Sequence, residues 1–187
     1  LFRYTTLFRS GTQLKYGIMN DFGMKKDMLS DLLLFWSSRR EKMITLDEYV
    51  DAMPEEQKYI YYACGDSIAA ANGLPQTEPI RDAGFDFLCF TEGVDEFAVQ
   101  MLGAYKEKSF KSVNDDDLGL ESDEEKEKTD ELESENKELL DFIVESLGGK
   151  ISEAKISHRL KTHPVCLTAS GPISLDMEKY FKDAPAQ

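Results

Sequence analysis

The chain has 187 residues, 41% of them hydrophobic and 11% aromatic, and a formal net charge of −14. That length can bury a core without a metal or disulfide staple, and the aromatic content excludes a wholly disordered chain. Apolar runs such as Leu32–Trp36 are far too short to span a membrane. The acidic balance argues against nucleic acid and anionic lipid as partners.

The charge is uneven. Between Asp115 and Asp141 stand 14 acids and three lysines, a local net of −11. Two near-neutral pieces joined by an acidic segment are expected, with a hinge near Asp115–Glu131. Leu1–Ser10 has no apolar signal region, clean periodicity or starting methionine, and is set aside as a candidate non-native stretch.

In chain order, Met24, Met28, Leu32 and Phe35, flanked by Leu29, Leu33 and Trp36, predict a helix with a wide apolar stripe. Thr45 and Glu48 fit a capping box, and the short helix they open is closed by Pro54. Lys58–Cys64 predicts a buried strand, Gly65-Asp66-Ser67 a turn and N-cap, and Ile68–Asn72 a helix. A second helical piece spans Glu78–Ala83, stopped by Gly84, and Phe85–Phe90 is the next strand. Val94–Tyr105 has amphipathic helix spacing, and Phe110–Val113 is an edge strand. The alternation predicts a small three-layer α/β unit on a parallel sheet. After the acidic stretch comes a helix from Leu132 to Leu147, ended by Gly148-Gly149. Ile151–Leu160 and Pro164–Ala169 predict a hairpin-like pair of strands. Ser170-Gly171-Pro172 opens a last helix with Ile173, Met177, Tyr180 and Phe181 in a narrow apolar stripe. The fold class is α/β, α+β overall.

Few residues suggest chemistry. Cys64, Cys89 and Cys166 are scattered, odd in number and without a C-x-x-C, which fits reduced thiols in a cytoplasmic protein. His158 and His163 lack metal-ligand spacing, and Asn114–Gly119 misses the calcium-loop register, so no metal is expected. The strand–Gly65-Asp66-Ser67–helix junction is the most enzyme-like place. It supports an alternative reading as a small anion-binding or enzymatic domain, although simple helix capping explains the same residues. A third reading takes the acidic run as a binding element for basic partners. The last helix leaves an apolar stripe with nothing downstream to cover it, a candidate partner surface.

The stretches LLLFWSS, TLDEYVDAMPEEQKYIYYACGDS, GFDFLCFTEGVDEF, KSFKSV and ISHRLKTHPVCLTAS resemble the 90-kDa heat-shock chaperone family, and its bacterial HtpG-type branch most. The likeness runs from Leu14 to Phe181. It implies an ATP-dependent, dimeric, cytoplasmic chaperone that responds to stress and binds unfolded clients. It also implies that residues 11–114 end a middle domain, that 115–131 link, and that 132–187 begin a C-terminal domain. The parts the family uses for ATP and Mg and for dimerisation lie outside this match, so no cofactor, ATPase activity or strong dimerisation is expected of this piece alone. By resemblance, client contact maps to Phe97, Gln100 and Met101 in GVDEFAVQML, and to Ile173, Met177, Tyr180 and Phe181 in ISLDMEKYF. Phe97 replaces a frequent tryptophan, which keeps an aromatic contact but loses an indole N–H.

Overall fold

The computed structural model describes residues 2–157, 160, 162–169 and 177–178. The chain opens with α1 (Phe2–Asn20) and α2 (Lys26–Leu29), then a 3-10 turn at Ser30–Leu32. A hairpin follows, β1 (Leu34–Ser37) and β2 (Lys42–Thr45), leading into α3 (Leu46–Val50). The central unit is β3 (Ile60–Cys64), α4 (Ile68–Asn72), α5 (Glu78–Asp82), β4 (Leu88–Phe90) and α6 (Gly93–Leu102). A short hairpin, β5 (Ala104–Tyr105) and β6 (Lys108–Ser112), completes it, and α7 (Asp123–Glu135) and α8 (Lys137–Ser146) follow.

The six strands form one sheet in the order β2-β1-β4-β3-β6-β5. Its centre is parallel, with β3 pairing both β4 and β6 that way, and antiparallel hairpins close both ends. The expected α/β class holds, on a mixed sheet. Because side chains alternate along a strand, the sheet sorts its residues into two cores. Ile60, Tyr62, Leu88, Phe90 and Phe35 face α1, α3 and α6, with Ile18, Leu46, Val99 and Leu102. Tyr61, Ala63, Cys89 and Phe87 face the other way, with Ala71 of α4, Ile80 of α5 and Leu118. Stacked rings of Tyr62 and Phe90, 4.6 Å apart, stiffen the first core.

Local signals act as expected at several places. Thr45 Oγ1 accepts from the Glu48 amide while the Glu48 carboxylate accepts from Thr45 N, a full capping box. Ser67 Oγ accepts from Ala70 N at 3.1 Å and starts α4. Gly65 lets that helix sit close to β3, since a Cβ there would stand 2.7 Å from Ala71 N.

Other expectations are corrected. The predicted helix over Met24–Trp36 ends at Leu32, and Leu34–Ser37 is a strand between β2 and β4. Leu34 and Phe35 are buried on opposite faces, so the run is apolar without strand alternation and imitates a helix. Tyr105 leaves the predicted helix because Gly103, at φ +73°, ends α6 and starts a hairpin. The expected edge strand Phe110–Val113 is β6, flanked by β3 and β5. The acidic stretch is helical from Asp123. Ser122 Oγ accepts from Glu125 N and the Glu125 carboxylate accepts from Ser122 N, so a capping box nucleates α7 where composition suggested disorder. Asn136 then divides the predicted Leu132–Leu147 helix between α7 and α8. No strand spans the described residues of 151–169; the only ladder contact there is a single parallel bridge, Asp115 with Ala169. Apart from Met177 and Glu178, which are helical, the predicted last helix lies outside the described residues, as does His158.

Candidate functional site

Helix α6 carries three of the predicted contact residues, and its orientation is fixed at both faces. Val94, Ala98, Val99 and Leu102 are buried beneath it, which turns Gln100 outward and leaves Phe97 and Met101 half-buried. At its start, Asp95 Oδ2 accepts from the amides of Thr91 and Glu92, each at 3.1 Å. The other oxygen, Oδ1, pairs with Lys15 Nζ of α1 at 2.5 Å, and both side chains are almost fully buried. Lys15 also lies 4.6 Å over the Phe35 ring. Burial pushes the Asp95 carboxyl above its ordinary value, and Lys15 pulls it back. With a cation on one oxygen and two amides on the other, this buried carboxylate ties α1 to the start of α6. One residue along, Glu96 accepts from the Tyr62 hydroxyl at 2.9 Å, anchoring the helix to the sheet. Burial, reinforced by Glu96, raises the Tyr62 phenol.

The structure brings two of the predicted residues together. Gln100 Nε2 donates to the Met177 sulfur at 3.2 Å, and Met177 is only 4% exposed. The stripe expected to be uncovered is therefore buried at this position. Ile173, Tyr180 and Phe181 lie outside the described residues. The alternative Gly65-Asp66-Ser67 site gains nothing: Ser67 is occupied as an N-cap, and α4 is a single short turn. Among the described residues no group of three histidine, cysteine or acidic side chains could hold a metal, and no helix is long and apolar enough to cross a membrane. Burial first, and Asp86 second, push the Cys89 thiol up to about 12, so it is not a nucleophile at neutral pH.

Two exposed apolar groups escaped the sequence reading. On α8 Leu139, Phe142 and Ile143 are exposed, Phe142 at 64%, as is Leu147 at its C-cap. In the turn after α1, Phe22 and Met24 are exposed, with Gly23 between them against Met101 of α6, and Met28 of α2 is exposed as well. Periodicity alone marks an apolar stripe, and no pattern in a single sequence distinguishes a covered stripe from an open one.

The Hsp90 protein family model matches residues 3–187. The chain belongs to the Hsp90 family. It is 50% identical to chaperone protein HtpG of Bacillus subtilis over 98% of its length, and 55% identical to that of Clostridium acetobutylicum over 97%. It spans 29% of either relative, less than a third of each. Among solved structures, the middle domain of a Plasmodium falciparum heat shock protein is similar, at 32% identity and a TM-score of 0.50, over 54% of this chain and 43% of that one. The Hsp90 likeness thus agrees with the α/β unit and not with the anion-binding alternative.

Proposed function

We propose that this Hsp90 segment is a client-contacting piece of a molecular chaperone, ending a middle domain within residues 11–114 and beginning a C-terminal domain at about residue 132. The observation that carries it is α6: a helix locked at its start by the buried Lys15–Asp95 pair, presenting Phe97, Gln100 and Met101 outward from a rigid core. Half-buried aromatic and thioether side chains beside an amide suit weak, adaptable contact with apolar segments of a partly folded protein. Met177, in contact with this helix, and Ile173, Tyr180 and Phe181 extend the same surface in this proposal. ATP with Mg, hydrolysis, homodimer formation and the cytoplasmic stress role belong to the longer protein.

The test is light scattering of a thermally unfolding client mixed with the chain. Suppression of aggregation that weakens in Phe97→Asp/Met101→Asp and in Met177→Asp/Phe181→Asp is expected. Equal scattering with and without the chain would refute the proposal. Thermal shift with ATP and Mg separates the parts: no stabilisation of this chain is expected, since a bound ligand would raise its melting point.

A further inference from the structure

The β1–β2 turn, the end of α3 and the loop before β4 enclose a cleft of about 430 Å³, well clear of α6 in sequence. Arg39 and Arg40 are its exposed residues, Met53 and Asp86 are half-buried in it, and Tyr49 and Gln57 are its buried base. The hydrogen bonds at that base run in fixed directions. Tyr49 Oη donates to Asp86 O at 2.5 Å, so toward Gln57 Nε2, 2.9 Å away, it accepts. The second N–H of Nε2 goes to Tyr59 O, also at 2.9 Å. Turning the amide over would set its oxygen against the Tyr59 carbonyl, so its orientation is determined. That leaves Gln57 Oε1, on a side chain with no exposed surface, without a donor among the described residues. A buried acceptor of this kind calls for a partner. The arginines offer the opposite polarity. Arg39 is steadied by one guanidinium nitrogen on Gly84 O at 2.8 Å, and the Arg40 backbone is pinned by its amide on Ser37 Oγ. Asp86, the acid that lines the cleft, is turned to other partners: its carboxylate accepts from Ser37 Oγ and from the amides of Arg39 and Phe87.

From this we propose that the cleft binds an acidic polypeptide segment, with an Asp or Glu carboxylate on Arg39 and Arg40 and a backbone N–H on Gln57 Oε1. Guanidinium groups match the two oxygens of a carboxylate. Two exposed arginines alone would take any small anion, weakly and with strong screening by salt. The buried oxygen adds a second demand, a hydrogen-bond donor. A polypeptide meets both, because a backbone N–H stands within a few bonds of every acidic side chain. Met53 supplies an apolar wall for the methylene stem of that side chain. The site lies on other elements than α6 and stands whether or not α6 contacts clients.

The probe is the capped tripeptide acetyl-Gly-Asp-Gly-amide, titrated into the chain and followed by amide NMR. Shifts at Arg39, Arg40 and Gln57 are expected. The Asn version of the peptide should bind roughly tenfold more weakly, and Arg40→Ala should weaken the Asp peptide to a similar extent. Lys42→Ala removes an exposed cation of the same hairpin that does not line the cleft, and should leave affinity unchanged. Versions of the peptide with single backbone N–H groups replaced by an ester oxygen test Gln57 without altering the protein. One of them should bind about threefold to tenfold more weakly than the parent peptide. Absent shifts at these residues, equal affinity for the Asp and Asn peptides, or no effect of Arg40→Ala overturns the site. Ester versions that all bind as well as the parent overturn the role of Gln57 and leave its oxygen to a trapped water. Inorganic phosphate that binds as tightly as the peptide overturns the polypeptide assignment.

Discussion

Replacing Asp95 with alanine strikes the joint between α1 and α6. The carboxylate accepts two backbone amides at the start of α6 and pairs with Lys15, whose side chain is 6% exposed. Alanine leaves a buried ammonium without its counter-charge, a loss of about 3–5 kcal/mol, and removes a cap in addition. That is a large part of the about 5–15 kcal/mol that holds a typical domain together. At about 2–4 °C per kcal/mol for a chain of this size, the melting point falls by about 10 °C or more. Lys15→Met alone strands the acid in the same way, at a cost of about 3 kcal/mol. The double variant Lys15→Met/Asp95→Asn removes both charges, keeps an oxygen for the Thr91 and Glu92 amides, and lays a methionine stem over Phe35. It should lose less than either single variant. Urea melts of the parent, Lys15→Met, Asp95→Asn and the double variant close a cycle and give the coupling energy, expected to exceed about 2 kcal/mol. Additive losses, with coupling within about 0.5 kcal/mol, would refute the claim that this pair works as one buried unit.

The β5–β6 hairpin turns on Lys106 and Glu107, both at positive φ (46° and 64°), so Glu107→Gly should stabilise the fold by about 0.5–1 kcal/mol in urea, and Glu107→Ala should not. Gly65→Ala places a methyl 2.7 Å from the Ala71 amide, a backbone atom that cannot rotate away, and should cost about 1–3 kcal/mol in the same assay. A thiol–disulfide reagent at pH 8 should label the half-buried Cys166 well before Cys89, which burial keeps protonated up to about pH 12; equal rates for the two would show that Cys89 is accessible.

What could be read from the sequence was local. Thr45 and Glu48, Ser67, Gly84 and the spacing from Val94 to Leu102 each act within four or five residues, and each stands where it was placed. Failures came where a distant neighbour decides. Leu34–Ser37 is a strand because β2 and β4 flank it, and the burial that results erases the alternation that would have revealed it. The Lys15–Asp95 pair joins residues 80 apart, and neither is unusual for its own stretch of sequence. The proposed contact residues came from motif resemblance, which put Phe97, Gln100 and Met101 on one helix but said nothing of Met177 lying against it.

The acidic segment shows how composition and geometry diverge. Most of the net −14 lies between Asp115 and Asp141, and as bulk charge it suggested a solvated hinge. Its first residues do specific work instead. Asp116 accepts from Lys155 and Thr168, and Asp117 meets Lys126 at 3.5 Å and accepts from Gly119 N, which together with the lysines holds its carboxyl below the usual range. Most of the rest lies in α7, where like charges repel along one helix, and its end opens α8. Salt therefore acts on this protein in two opposing ways. It relieves the self-repulsion of α7, and it screens the ion pair that fastens Lys155 to Asp116. A salt titration of overall stability sums the two and identifies neither. Comparing the titration of the parent with that of Asp116→Asn separates them, because the variant keeps the charges of α7 and lacks the anchor. Only the difference between the two curves reports the Asp116 anchor.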